Sequence, residues 1–306
     1  MIKKIICLTM LFILIGCTGM RFPKNKEAIP VPDIHQGTTA IEMQYTEGMP
    51  PKEIFEKQLF EIGLELQNKG ATDIQNGIFN LAVNEQFITL LDEQMTRFNI
   101  KGKSVYNPIG GKEQIRIKAQ SRELGRQISG QSTTLIANAC YQYQTKATIL
   151  TCIDPQPLKK ETKVCTVQSQ STPQGQGGPI AVTNIEPKMM PHQNPDKIKP
   201  AYVITIKNLG NGQVIEPNTI YDACTGRNIG KENYDILLIN ALLSNEILNC
   251  EPQTLKLRQN ENKILCESTA GIPKTAGNYQ TPITIELEYG YIQTIPKTIR
   301  IAKRTY

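Results

Sequence analysis

Two stretches of period-two alternation, each stopped by the same kind of turn, constrain this chain most. In residues 57–68, Leu59, Glu61, Gly63 and Glu65 take one side and Phe60, Ile62, Leu64 and Leu66 the other. Successive side chains of a strand point to opposite faces, so a single apolar side reads as a half-buried strand. It stops at Asn68-Lys69-Gly70, residue types that favour turns. Residues 201–208 repeat the pattern, with Tyr202, Ile204 and Ile206 against Val203, Thr205 and Lys207, and end at Asn208-Leu209-Gly210. The runs that precede them also match: Gly37-Thr38-Thr39-Ala40-Ile41 and Gly178-Pro179-Ile180-Ala181-Val182. Nearly equal intervals between both pairs of landmarks point to a duplicated module.

Further strands are expected at 38–45, at 78–83, and where Ile115, Ile117 and Ala119 alternate with charged residues. Residues 133–143 and 148–153 read as a hairpin around Gln144-Thr145-Lys146. Residues 283–289 and 292–301 read as two strands around Gly290. Segment 233–248 reads as strand, Ser244-Asn245 turn and strand, although Ile236, Ile239, Leu243 and Ile247 also form a helical stripe. The low-complexity run 168–178 (QSQSTPQGQGG) offers nothing to bury in a core and marks the domain boundary. The expected fold is all-β: two immunoglobulin-like antiparallel β-sandwich domains in tandem, 37–155 and 179–306, joined by a linker at 156–178.

The chain starts with a positive Met1-Ile2-Lys3-Lys4, followed by an apolar stretch from Ile5 to Gly16. A membrane span needs about 20 residues, so this stretch fits a secretory leader better. Its end, Leu14-Ile15-Gly16-Cys17, resembles the lipobox of bacterial-type lipoproteins. That resemblance implies cleavage before Cys17 and a lipid on its sulfur. A leader retained as an anchor is the alternative. On this reading 1–17 is the signal or anchor. Residues 18–36, with Pro23, Pro30 and Pro32, are then a tether to the outer face of the membrane.

Of eight cysteines, Cys7 lies in the leader and Cys17 is the lipid candidate. Cys140, Cys152, Cys165, Cys224, Cys250 and Cys266 remain, an even set that in an exported chain reads as disulfides. Buried thiols and metal ligation are the rival readings, and no Cys-x-x-Cys is present. Cys250 and Cys266 fall within one module and are expected to pair. Cys152 with Cys165 and Cys140 with Cys224 complete one of several connectivities that spacing leaves open.

Chemistry has little material here. Trp is absent, and the two histidines, His35 and His192, lie in Pro-rich surroundings. Gly110-Gly111-Lys112 lacks the spacing and hydroxyl of a phosphate loop and reads as a hairpin turn. Glu61 and Glu65 read as an exposed strand face. Asp73, Asp92, Asp154, Asp196, Asp222 and Asp235 are scattered, with no Asp-x-Asp for calcium. We therefore expect no catalytic residues, no cofactor and no metal. The net charge of +6 is mixed over the chain and shows no basic stripe with aromatics, so no nucleic-acid partner is expected. The C-terminal cluster Lys297, Arg300, Lys303 and Arg304 reads as the polar face of an edge strand.

Strand ends built from Leu64, Leu66, Asn68 and Gly70, and again from Ile204, Ile206, Asn208 and Gly210, resemble the CARDB and related immunoglobulin-like modules of prokaryotic surface proteins. The stretches 102–108 (GKSVYNP), 139–143 (ACYQY) and 152–155 (CIDP) resemble uncharacterised lipoprotein-like cell-surface proteins of small-genome archaea. The resemblance implies a non-enzymatic, membrane-anchored surface protein with a structural, adhesive or protein-interaction role. Its partner would be an unidentified surface protein or glycan. The alternative is a lipoprotein that binds a solute or glycan in an inter-domain cleft lined by tyrosines. Among these, Tyr141, Tyr143, Tyr289 and Tyr291 are expected to divide between the two faces of their strands.

Overall fold

The alternating stretches are strands. The computed structural model describes residues 34–159, 161–258 and 262–304. The leader 1–17 with Cys17, and the tether up to residue 33, lie outside the described residues. The first half carries Ile41–Tyr45 (β1), Glu53–Phe55 (β2), Leu59–Asn68 (β3), Ile74–Ala82 (β4), Ile88–Leu90 (β5), Met95–Ile100 (β6), Lys112–Ser121 (β7) and Gly130–Ile153 (β8). The second half begins with Gln170–Ser171 (β9), Ile180–Pro191 (β10), Lys197–Asn208 (β11), Gln213–Ile215 (β12) and a short helix Ile220–Cys224 (α1). It continues with Ile236–Leu243 (β13), Glu246–Ile247 (β14), Asn249–Glu251 (β15), Thr254–Lys256 (β16), Asn262–Glu267 (β17), Ile272–Pro273 (β18) and Tyr279–Ala302 (β19).

Among the described residues these strands form three sheets. A four-stranded sheet runs β1-β3-β7-β5. A six-stranded sheet runs β15-β17-β11-β10-β9, with β18 on β11. A nine-stranded sheet runs β14-β13-β19-β8-β4-β6, with β12 and β2 also on β19 and β16 on β13. Its spine is a ribbon of two 24-residue strands, β8 and β19, antiparallel from Tyr279 opposite Ile153 to Ala302 opposite Gly130. At about 3.3 Å per residue each strand spans roughly 80 Å.

The flanks of the ribbon explain its length. On its other side β8 pairs with β4 only at residues 136–140, and β19 pairs with β13 only at 283–288. Each long strand therefore sits inside its own half with one portion and borders the other half with the rest. The apolar faces of all three sheets meet in one core: Leu64, Phe79, Phe98 and Ala137 in the first half; Ile204, Leu237, Ile264 and Ile285 in the second. A sandwich arrangement fits this layering, and the described residues form one compact unit.

Several local expectations need correction. Residues 144–146 make no hairpin turn. Gln144, Thr145 and Lys146 stay in register with Glu288, Leu287 and Glu286. The strand continues because Thr145 is buried and its hydroxyl meets that of Tyr289. Gly290 likewise lies within β19. A Cβ there would come within 2.8 Å of Ile215 and 2.9 Å of Ile220, so the glycine admits close packing rather than a turn. Gly110-Gly111-Lys112 links β6 and β7, which belong to different sheets, and is no hairpin.

The low-complexity run 168–178 is built into the fold. Gln176 is buried and bonds the backbone of Val182 in both directions, while Gly177 O accepts the Tyr143 hydroxyl at 2.7 Å. The basic C-terminal cluster is not on an edge strand. Arg300 lies between β8 and β2 and pairs with Glu53, and Lys303 Nζ donates to the carbonyls of Gly125 and Arg126. Segment 233–248 is strand, turn and strand: Leu237, Ile239, Ala241 and Leu243 face inward, and Ser244 turns with φ 55°.

Candidate functional site

At the middle of the ribbon Tyr143 stands opposite Tyr289 and Tyr141 opposite Tyr291. Residues two apart share a face, and antiparallel pairing puts partners on the same face. All four rings therefore lie together on the core side, which overturns the expected division between faces. Ring centroids are 5.9–6.2 Å apart in tilted or edge arrangements, the geometry that aromatic quadrupoles favour.

Each hydroxyl holds a backbone amide. Tyr141 Oη accepts from Ile41 N at 3.3 Å and Tyr289 Oη from Ile180 N at 3.3 Å, so the first residues of β1 and β10 are held alike. Tyr143 Oη accepts from Thr72 N at 3.1 Å, and Tyr291 Oη from Gly212 N at 2.6 Å. Those amides lie in the two Asn-x-Gly turns. Asn68 Oδ1 accepts from Gly70 N at 3.0 Å, and its Nδ2 donates to Thr72 O at 2.9 Å. Asn208 Oδ1 accepts from Gly210 N at 3.0 Å, and its Nδ2 donates to Gly212 O at 3.1 Å. The same five-residue clamp is made twice, once on each side of the ribbon.

The glycines of these turns are needed for a reason that sequence alone does not give. A Cβ on Gly70 would fall 1.9 Å from the Tyr143 hydroxyl, and one on Gly210 2.4 Å from that of Tyr291. Burial pushes the phenols of Tyr143 and Tyr291 up to about 12, against the opposing pull of their hydrogen bonds. Burial likewise raises Tyr141 and Tyr289 well above the ordinary phenol value. Such groups stay neutral and act as struts. The space beside them, between Ala40, Pro179, Tyr141 and Tyr291, measures about 110 Å³.

The cysteines are joined as Cys140–Cys224, Cys152–Cys165 and Cys250–Cys266. Cys250–Cys266 links β15 to β17 across one register pair. Cys152–Cys165 closes the loop after β8, where buried Asp154 pairs with Lys163, whose ammonium also donates to the carbonyls of Gln156 and Pro157. Cys140–Cys224 ties α1 to the outer face of β8. Three disulfides fit an oxidising, extracellular environment. No helix among the described residues is long and apolar enough to cross a membrane.

No family model and no curated protein matches this chain. Among solved structures, a secreted serine protease, VesC from Vibrio cholerae, is 8% identical with a TM-score of 0.21, and 88% of this chain is covered. The chain spans 52% of that protease chain. The CupB6 tip adhesin from Pseudomonas aeruginosa is 9% identical with a TM-score of 0.17, over 88% of this chain and 97% of the adhesin chain. Likenesses this distant carry no functional argument.

Among the described residues no set of three His, Cys, Asp or Glu could hold a metal ion. Of the carboxylates, Glu65, Asp73 and Glu123 are held below their ordinary range by bonds to Lys112, Lys101 and Lys57. That is opposite to what a general acid needs. Glu61 lies opposite Lys118 in the β3–β7 register. An open apolar groove of about 780 Å³ runs between Pro157, Leu158, Met189, Met190 and His192. The tyrosine cluster was written in the sequence as a repeated Tyr-x-Tyr, Tyr141-Gln142-Tyr143 and Tyr289-Gly290-Tyr291, whose meaning depends on the pairing of the two strands.

Proposed function

We propose that this chain is a non-enzymatic cell-surface protein. It is anchored outside the membrane through its leader or a lipid on Cys17, and its role is structural, adhesive or protein-binding. Its modules, 37–155 and 179–306 about the 156–178 segment, are read as immunoglobulin-like and akin to CARDB modules. The observation that carries the reading is the β8–β19 ribbon, which pairs the two halves over 24 residues and carries two disulfides on β8, with a third joining β15 to β17. Each disulfide contributes about 2–4 kcal/mol where thiols stay oxidised. A stiff body of this kind suits load or contact rather than the opening and closing of a binding cleft. The rival, a solute or glycan in a tyrosine-lined cleft, has less to rest on, because the four rings are packed and bonded to backbone.

Surface shaving tests the reading. Protease treatment of intact cells should release peptides from 37–306, and membrane extracts should retain Cys17 bearing an added lipid mass or an intact leader. A chain recovered only from the cytosol, with six reduced thiols, would contradict it.

A further inference from the structure

The doubled arrangement around the ribbon leaves one face covered in the first half and the equivalent face open in the second. On the outer side of the first half, Ile78 of β4 lies opposite Cys140 of β8, and Asn80 lies opposite Asn138. Residues 217–228 lie across them. Cys224 is bonded to Cys140, Asn80 Nδ2 donates to Cys224 O at 2.7 Å, and Ile220 packs against this cluster. Ile78 is left 4% exposed and Cys140 0%.

In the second half the register places Leu238 of β13 opposite Glu288 of β19, and Asn240 opposite Glu286. Leu238 therefore stands where Ile78 does, Asn240 where Asn80 does, and Glu288 where Cys140 does. Nothing covers them among the described residues. Leu238 is 41% exposed, and a groove of about 270 Å³ opens between Leu238, Asn240, Gln253, Thr254, Glu286 and Glu288.

We propose that this groove docks a short basic segment of a protein partner, lying over β13 and β19 as residues 217–228 lie over β4 and β8. The inference rests on the protein-binding role proposed above and names the surface that serves it. Leu238 supplies the apolar floor. The carboxamide of Asn240 is placed to donate to a backbone carbonyl, as that of Asn80 does. Charge selects the occupant. Glu286 shares Lys146 at 2.9 Å, while among the described residues Glu288 is bonded to the neutral Gln144 at 3.1 Å, so an anionic site stands where the first half has its disulfide. A Lys or Arg on the incoming segment would take the place of Cys224.

The test uses purified, oxidised full chain, so it is independent of where the protein resides in the cell. The probe is a synthetic peptide of residues 217–228 carrying Cys224→Lys, compared with the same peptide carrying Cys224→Ser. Amide shifts on titration should map to Leu238, Asn240, Glu286 and Glu288. The lysine peptide should bind more tightly than its serine counterpart. Glu288→Gln, at a half-buried outer position, and Asn240→Ala, at an exposed one, should each weaken it, the charge change by about tenfold. Equal binding of both peptides, shifts elsewhere, or unchanged affinity in folded variants would overturn the proposal. Self-association through these residues would also overturn it, because it would give the face to a second copy.

Discussion

Tyr143 lies directly across the ribbon from Tyr289, ring centroids 6.1 Å apart, and the two hydroxyls hold segments from opposite halves of the chain. Tyr143 bonds Thr72 N and Gly177 O; Tyr289 bonds Ile180 N and Thr145 Oγ1. A turn in the first half, the segment between the halves and the start of the second half are thus fastened at one point.

Loss of the Tyr143 hydroxyl should therefore be felt well beyond its own strand. Tyr143→Phe leaves Thr72 N without its acceptor and takes one of two donors from Gly177 O, which keeps Ala71 N, at a cost of about 1–3 kcal/mol. Urea denaturation should show a lower midpoint with an unchanged slope. Tyr106→Phe, at a side chain 99% exposed, should leave the midpoint where it is.

Alkaline pH should unfold the protein through the same cluster. The phenols of Tyr143 and Tyr291 sit at about 12 in the fold, against about 10 in an unfolded chain. A raised folded value means that their contribution is complete below pH ~10 and is lost as pH rises toward and through ~12. Circular dichroism should stay native to about pH 10 and then fall. Tyrosinate absorbance from these residues should appear together with the loss of structure rather than before it.

The three disulfides should differ in what they protect. Replacing Cys140 and Cys224 with Ser frees α1 from β8, at a cost of about 2–4 kcal/mol. It should raise hydrogen exchange in 217–228 and at Ile78. Replacing Cys152 and Cys165 should instead loosen 154–164, where Lys163 and Asp154 meet, and leave α1 protected.

Strand character was legible wherever one face is buried and the other wet. Residues 59–68 and 201–208 show it, and so does 236–243, where a helical stripe competed with period two. The ribbon was not legible, because Gln144-Thr145-Lys146 and Gly290 are ordinary turn material and only long-range pairing keeps them extended. The same blindness hid the tyrosine cluster. Its Tyr-x-Tyr repeats were visible, but the strand register that stacks them joins residues far apart in sequence. The glycines of the Asn-x-Gly turns were read as turn formers, whereas the structure requires them for the approach of Tyr143 and Tyr291. The burial of Gln176 came from bonds to Val182, which composition does not encode.

The central claim is that the two halves are one cooperative body, because β8 and β19 each complete the sheet of the other. Urea unfolding of the oxidised protein, followed at once by hydrogen exchange at Ile62 in β3 and Ile204 in β11, tests this most directly. Protection should be lost at both positions in a single transition, and a separately expressed 179–306 should fail to protect Ile204. Two separate transitions, or a stably folded 179–306 with Ile204 protected, would contradict it.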